Sequence, residues 1–258
     1  LEEKFEMKKT SGIILILFLL GLWELFSQYE IVNSVFLPPF SKVISTFFVK
    51  IFDTNFLTDV LMTIIRCLSG FMMASIIGIL IGLLMGQSKK IYYLFEPLVE
   101  ILRPIPSAAV IPVAILFLGI GDEMKIFVIF FACLWPILIN SMDGARNIDP
   151  LIIDTAHTFD LRPKEFLFKI IIPASTPGII TGMRISLAIS LILSVTVEMI
   201  AGNDGLGFYI LDMERSFQFP EMYAGIVFIG ILGYILNNLF LRLTSGIMKW
   251  HRGFISNI

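Results

Sequence analysis

The sequence predicts an all-α, polytopic membrane protein of about six transmembrane helices, and three observations predict it. Of 258 residues, 57% are hydrophobic and only 16% charged, against about 25% charged in ordinary soluble domains; mean hydropathy is +0.88. A soluble chain of this length has no interior large enough to hide that much apolar surface. The apolar residues also gather in runs close to the ~20 residues a helix needs to cross a hydrocarbon core. Finally, lysine and arginine fall unevenly on the connectors between those runs, as they do when one side faces the cytoplasm. The whole chain, 1–258, reads as a single transmembrane domain.

Lys4, Lys8 and Lys9 precede an apolar run from Ile13 to Phe26. Trp23, Glu24 and Phe26 stand where a signal peptide would carry small cleavage-site residues, so the segment reads as an uncleaved first span, about 12–27. Residues 28–59 form a polar connector, extended at Leu37-Pro38-Pro39, with a modest helix expected from Ser41 to Phe52. The second span, about 60–86, repeats Gly78, Gly82 and Gly86 at four-residue spacing, which lets another helix approach closely. The third, about 91–119, contains Pro97, Pro104, Pro106 and Pro112, tolerated in membrane helices where neighbours or water satisfy the freed carbonyls. A turn from Gly119 to Glu123 leads into the fourth span, about 124–141. The fifth, about 176–201, ends at Asn203-Asp204-Gly205. The connector 203–222 has room for a short helix before the sixth span, about 223–247. No internal repeat or low-complexity tract interrupts this order.

Between the fourth and fifth spans lies the longest soluble-looking stretch, 149–173. Asp149 suits a helix N-cap and Pro150 the first turn, where a missing N–H costs nothing. Leu151, Ile152, Thr155, Ala156 and Phe159 then share one face of a short amphipathic helix. Asp160 ends it, Pro163 opens a second helix from Lys164 to Ile172, and Pro173 is expected to stop that one.

Asp154-Thr155-Ala156, Asp160, Ile170, Ile172 and Pro173 keep every interval of the E-A-A-x3-G-x9-I-x-L-P pattern, and the loop resembles the cytoplasmic coupling loop of ABC-transporter permease subunits. Asp replaces Glu at 154, Thr replaces Ala at 155, Asp160 stands for Gly and Ile172 for Leu. Leu102-Arg103-Pro104-Ile105-Pro106, Phe117-Leu118-Gly119-Ile120-Gly121, Trp135-Pro136-Ile137 and Asn203-Asp204-Gly205-Leu206-Gly207 are similar to nitrate, sulfonate and taurine importer permeases. The resemblance covers roughly residues 20 to 245. It implies a permease for a small polar, anionic solute, with Asp154, Thr155, Ala156, Phe159, Asp160, Ile170 and Pro173 contacting an ABC ATPase subunit. It further implies an extracytoplasmic solute-binding protein. One coupling loop per copy against the two grooves of an ATPase pair implies a second permease copy, identical or not.

Charge placement orients the chain. Lys4, Lys8, Lys9, Lys89, Lys90, Arg146, Arg162, Lys164, Lys169, Lys249 and Arg252 collect on one side, and Lys42, Lys50, Lys125 and Arg215 on the other. That places both termini and the loop in the cytoplasm, with the chain in a bacterial cytoplasmic (inner) membrane. No G-x-x-x-x-G-K-[ST] phosphate loop occurs. The chain is therefore expected to be no enzyme and to hold no cofactor, ATP being bound by a partner. Cys67 and Cys133 lie in apolar runs and read as packing residues, and His157 and His251 are too isolated for a metal centre. A nucleic-acid partner is not expected.

Charges at membrane depth are expensive and usually paired or functional. Glu24, Arg66 and Glu198 fall toward the outer side, on the first, second and fifth spans. Arg66 reads either as snorkelling to headgroups or as an ion pair with Glu198 or Glu24 at an outer gate. Glu96, Glu100 and Arg103 share one helical face, solvated at the interface or lining the pathway with Glu100 and Arg103 partly neutralising each other. Arg184 is expected to snorkel, and Asn237 and Asn238 to bond across helices or face the pathway. The alternative class is a secondary transporter or channel without an ATPase, which usually shows repeats and midplane coupling charges.

Overall fold

The computed structural model describes residues 2–159 and 161–247. Eleven α-helices and one π-helical turn follow in order: α1 (Glu2–Gln28), α2 (Phe40–Lys50), α3 (Thr54–Gln87), α4 (Lys89–Leu102), α5 (Ser107–Leu118), α6 (Asp122–Arg146), α7 (Pro150–Thr158), α8 (Pro163–Phe166), the π turn Leu167–Ile171, α9 (Ile172–Ala201), α10 (Leu206–Arg215) and α11 (Phe219–Ile247). Among the described residues, four stretches are long and apolar enough to cross a membrane: Thr54–Gln87, Asp122–Arg146, Pro163–Ala201 and Phe219–Gly246. α4 and α5 together make a fifth if counted as one span, and Ile14–Gln28 is a shorter apolar helix.

The expected third span is thus not one straight helix. α4 and α5 meet at 98°: Arg103 still has helical backbone, but neither Pro104 nor Pro106 has the N–H that would carry the helix on, and the chain turns extended at Pro106 (φ −58°, ψ 123°). Pro97 and Pro112, each isolated, stay inside their helices.

The centre of the bundle is α3, α6 and α9. The glycine seam of α3 sets their spacing: a Cβ on Gly82 would lie 2.5 Å from the Leu138 carbonyl, and one on Gly86 2.6 Å from Ala145 Cβ. Only glycine lets the two backbones meet there. Phe71, Ala74, Ile129, Cys133, Ile137, Ile180 and Leu187 fill the middle of this contact. Both cysteines are free and buried, in the packing role expected of them.

At the end of the bundle away from the 149–173 loop, the outer end, α2 packs against α1 and α11. The Trp23 indole donates to the Pro38 carbonyl at 3.0 Å and stacks edge-on against Tyr223 of α11. Further down α1, Ile14 to Leu19 are all more than half exposed. A run of six residues covers the whole helix circumference, so that part of α1 touches none of its own bundle.

Candidate functional site

Two sites stand at opposite ends of α9. The outer one starts from a face of α3, where Asp59, Thr63 and Arg66 recur at i, i+4 and i+7. The first turn of α6 adds Asp122 and Lys125, the last turn of α9 adds Glu198, and the loop into α10 adds Asp204 to Gly207. Arg66 is 2% exposed and Glu198 fully buried, and they pair at 2.9 Å. The same guanidinium reaches Asp122 and Asp204, each at 2.7 Å. Lys125 donates to Asp204 at 3.2 Å.

The backbone completes the node. Gly205 N–H donates to Asp59 at 2.8 Å, Leu206 N–H to the Thr63 hydroxyl at 2.9 Å and Gly207 N–H to Glu198 at 3.0 Å. This wrapping needs the φ of +97° at Gly205, where a Cβ would also strike the Glu198 carboxyl group. Glycine alone adopts that geometry without strain. A buried ion pair holds only when its remaining donors and acceptors are satisfied. Here Glu198 accepts from Arg66, Thr63 and Gly207. Burial opposes ionisation of Asp204, yet its bonds from Arg66 and Lys125 prevail and hold its carboxyl below the ordinary range.

Of the two readings of Arg66, the structure has the ion pair, with Glu198. Glu24 is turned elsewhere, accepting from the Ser41 backbone at 3.0 Å and the Ser41 hydroxyl at 2.8 Å. Sequence reasoning did not find Asp59, Thr63, Asp122, Lys125 or Asp204 as partners. The helical spacing of Asp59, Thr63 and Arg66, and of Asp122 and Lys125, is the signal that would have found all of these but Asp204.

Glu96, Glu100 and Arg103 share α4 and its end but form no cluster. Glu96 accepts from the Tyr92 hydroxyl at 2.6 Å, while Glu100 and Arg103 are exposed and make no ion pair with each other among the described residues. Arg184 donates to Asn237 at 3.3 Å, joining α9 to α11. The cross-helix option for Asn237 is the one realised.

The inner site is the loop. Leu151 N–H is capped by the Asp149 carboxylate at 2.9 Å, which starts α7 where expected. Leu151, Ile152, Thr155, Ala156, Phe159, Leu161 and Ile170 line an apolar groove of about 390 Å³. Leu151 and Phe159 are 70% and 74% exposed, whereas Ala156 is 3% exposed. Ala156 therefore forms the floor of the groove and is covered by its own chain; the outward residues are its neighbours. Asp154 and Thr155 are exposed, and Thr155 donates to the Leu151 carbonyl. Asp160, like Lys249 and Arg252, lies outside the described residues.

The stop expected at Pro173 does not occur. The π turn before it bonds Ile172 N–H to the Leu167 carbonyl, five residues back. The widened turn keeps Pro173 at the start of α9, where it needs no N–H. The chain runs helical from Pro163 to Ala201.

Comparison with known proteins agrees with this architecture. The family described as binding-protein-dependent transport system inner membrane component matches residues 74–248. A putative ABC transporter permease protein of Methanocaldococcus jannaschii is 35% identical over 221 residues, 84% of this chain and 82% of that one. The putative aliphatic sulfonates transport permease protein SsuC of Bacillus subtilis is 27% identical over 95% of this chain and 88% of its own. The nitrate import permease protein NrtB of Synechocystis sp. is 34% identical over 70% of this chain and 66% of its own. Among solved structures, a chain of the MetNI methionine ABC transporter in an inward-facing conformation superposes with a TM-score of 0.64. It covers 74% of this chain and 95% of its own at 19% identity, and so speaks to the fold alone. An all-helical bundle with several membrane-length helices, a family match over two thirds of its length and relatives named as permeases lead to one assignment: the chain belongs to the binding-protein-dependent transport system inner membrane components, the ABC transporter permeases, which are transport subunits and not enzymes.

Proposed function

We propose that this chain is the membrane subunit of an ATP-driven importer for a small anionic solute of the nitrate or sulfonate kind, handed over by an extracytoplasmic binding protein. The observation that carries the coupling role is the groove beside α7. A nine-residue helix is too short to be stable alone in water, and this one presents Leu151, Ile152 and Phe159 outward around an apolar cleft. Such an outward apolar face suits seating of the loop helix in a groove of a partner, here the ATPase subunit, which binds the ATP while this chain carries no cofactor. The anionic class rests on the relatives named for aliphatic sulfonates and nitrate. Two copies enclose the pathway in the cytoplasmic membrane, with six spans per copy and both termini inside, as the lysine and arginine distribution favours.

Leu151→Glu with Phe159→Glu tests the coupling role, because both side chains are exposed and neither supports the fold. The expected result is normal membrane insertion, loss of co-purification with the ATPase subunit and at least tenfold slower uptake. Retention of both the ATPase and uptake overturns the role of this loop. Uptake that persists without any ATPase would instead favour a gradient-driven transporter.

A further inference from the structure

The cations of the chain divide sharply by what they touch. Arg66 and Lys125 are committed to carboxylates, and Arg184 to Asn237. Lys89, Lys90, Arg146, Lys164, Lys169 and Arg242 stand near the inner ends of their helices. Arg103 differs from all of these. It is exposed at the 98° break between α4 and α5, and makes no ion pair or side-chain hydrogen bond with any described residue.

Its depth follows from packing. α5 runs back to the outer end alongside α6, with Ile111 and Ala114 against Met124 and Val128. Twelve residues rise about 18 Å, and the 25 residues of α6 about 37 Å. The break therefore lies near half the height of α6. The same level is indicated by Val99 and Leu102, which belong to the cluster of Trp135, Leu138 and Phe131. A hydrocarbon core is about 30 Å thick, so an arginine stem at half height reaches neither headgroup layer. A charge there needs water or an anion.

We propose that Arg103 is the cation that contacts the transported anion at mid-membrane, where the broken span faces the pathway between two permease copies. This rests on the importer reading given above. It also separates two arginines that share the sequence signature of intramembrane charge: Arg66 has three carboxylates and no free donor face for a solute, while Arg103 has none. A guanidinium offers paired N–H donors matched to the planar oxygens of nitrate or two oxygens of a sulfonate.

The test uses the complete transporter, permease with ATPase and binding protein, in proteoliposomes. Arg103→Cys is exposed to the membrane-impermeant sulfonate reagent 2-sulfonatoethyl methanethiosulfonate, with the wild type, whose two cysteines are buried, as blank. Phe117→Cys, an apolar position 84% exposed on α5, is the comparison. Modification at least tenfold faster than at position 117 is expected; equal, slow modification overturns the proposal by placing Arg103 in lipid. Uptake of nitrate and of methanesulfonate is then measured for Arg103→Gln and Arg103→Lys. The glutamine variant is expected to raise KM tenfold or more with less change in maximal rate, and the lysine variant to restore KM to within about threefold. An unchanged KM in the glutamine variant overturns Arg103's role alone. A wild-type transporter that carries neither anion removes the anionic reading itself, and this proposal with it.

Discussion

At the residue scale, Arg66 shows why the number of partners matters more than the presence of one. Three carboxylates share its guanidinium, so Arg66→Ala leaves Glu198 buried and uncompensated. The expected loss is about 3–5 kcal/mol of stability, read as a lowered Tm of the purified permease. Exchanging the charges, Arg66→Glu with Glu198→Arg, should recover only part of it, since Asp122 and Asp204 would then face the new glutamate. Full recovery would show that the Glu198 contact carries the node by itself. Asp204 adds a pH dependence. Its carboxyl is held below the ordinary value despite burial, so its stabilising contribution is complete above the usual carboxylate range, about pH 4, and lost as pH falls through its lower folded value. A Tm profile should fall on that acid limb in the wild type and fall less in Asp204→Asn. Parallel profiles would remove Asp204 from the account.

At the element scale, the α3 glycines and the π turn do related work: each removes an obstacle to a continuous contact. Gly82→Leu is expected to force α3 and α6 apart, because even a Cβ would collide with backbone at Leu138 and the Ser141 Cβ. Overpacking of this kind costs about 1–3 kcal/mol, and protease sensitivity of the solubilised permease should rise accordingly. Gly21, with nothing within 4 Å of an added Cβ, is the control, and Gly21→Ala should match the wild type. The tandem prolines after Arg103 act in the opposite sense. Neither Pro104 nor Pro106 can donate a helical N–H, and the chain turns through 98° at the pair, where the isolated Pro97 and Pro112 stay within their helices.

At the scale of the whole molecule, the helical rod from Pro163 to Ala201 links both sites. Ile170 lines the groove near its start and Glu198 sits in the outer node near its end. The rod's irregular positions, the π turn at Leu167–Ile171 and the prolines Pro173 and Pro177, all gather at its groove end. α1 stands apart from this axis. It is tied on at its outer end through Trp23, Ser27 and Glu24, and it precedes the region matched by the family. The region matched by the family, residues 74–248, holds the rod, the inner groove and the α6, α9 and loop contributions to the outer node, while Asp59, Thr63 and Arg66 precede it.

Composition and spacing alone determined that this chain is an all-α membrane protein, that a capped helix follows Asp149, and that glycines pack the second span. Each of these depends on residues within one or two helical turns, whose periodicity is visible in a linear string. Tertiary structure decided the rest. Whether Arg66 meets Glu198 or Glu24 depended on the approach of helices 132 and 42 residues away in sequence, and the partners Asp122 and Asp204 come from connectors that look merely polar. Ala156, read as facing a partner, is covered from within, because the π turn that follows the loop packs back against α7. Pro173 carried the signal of a helix stop, and only a widened turn upstream, which no residue type announces, let the helix pass through it.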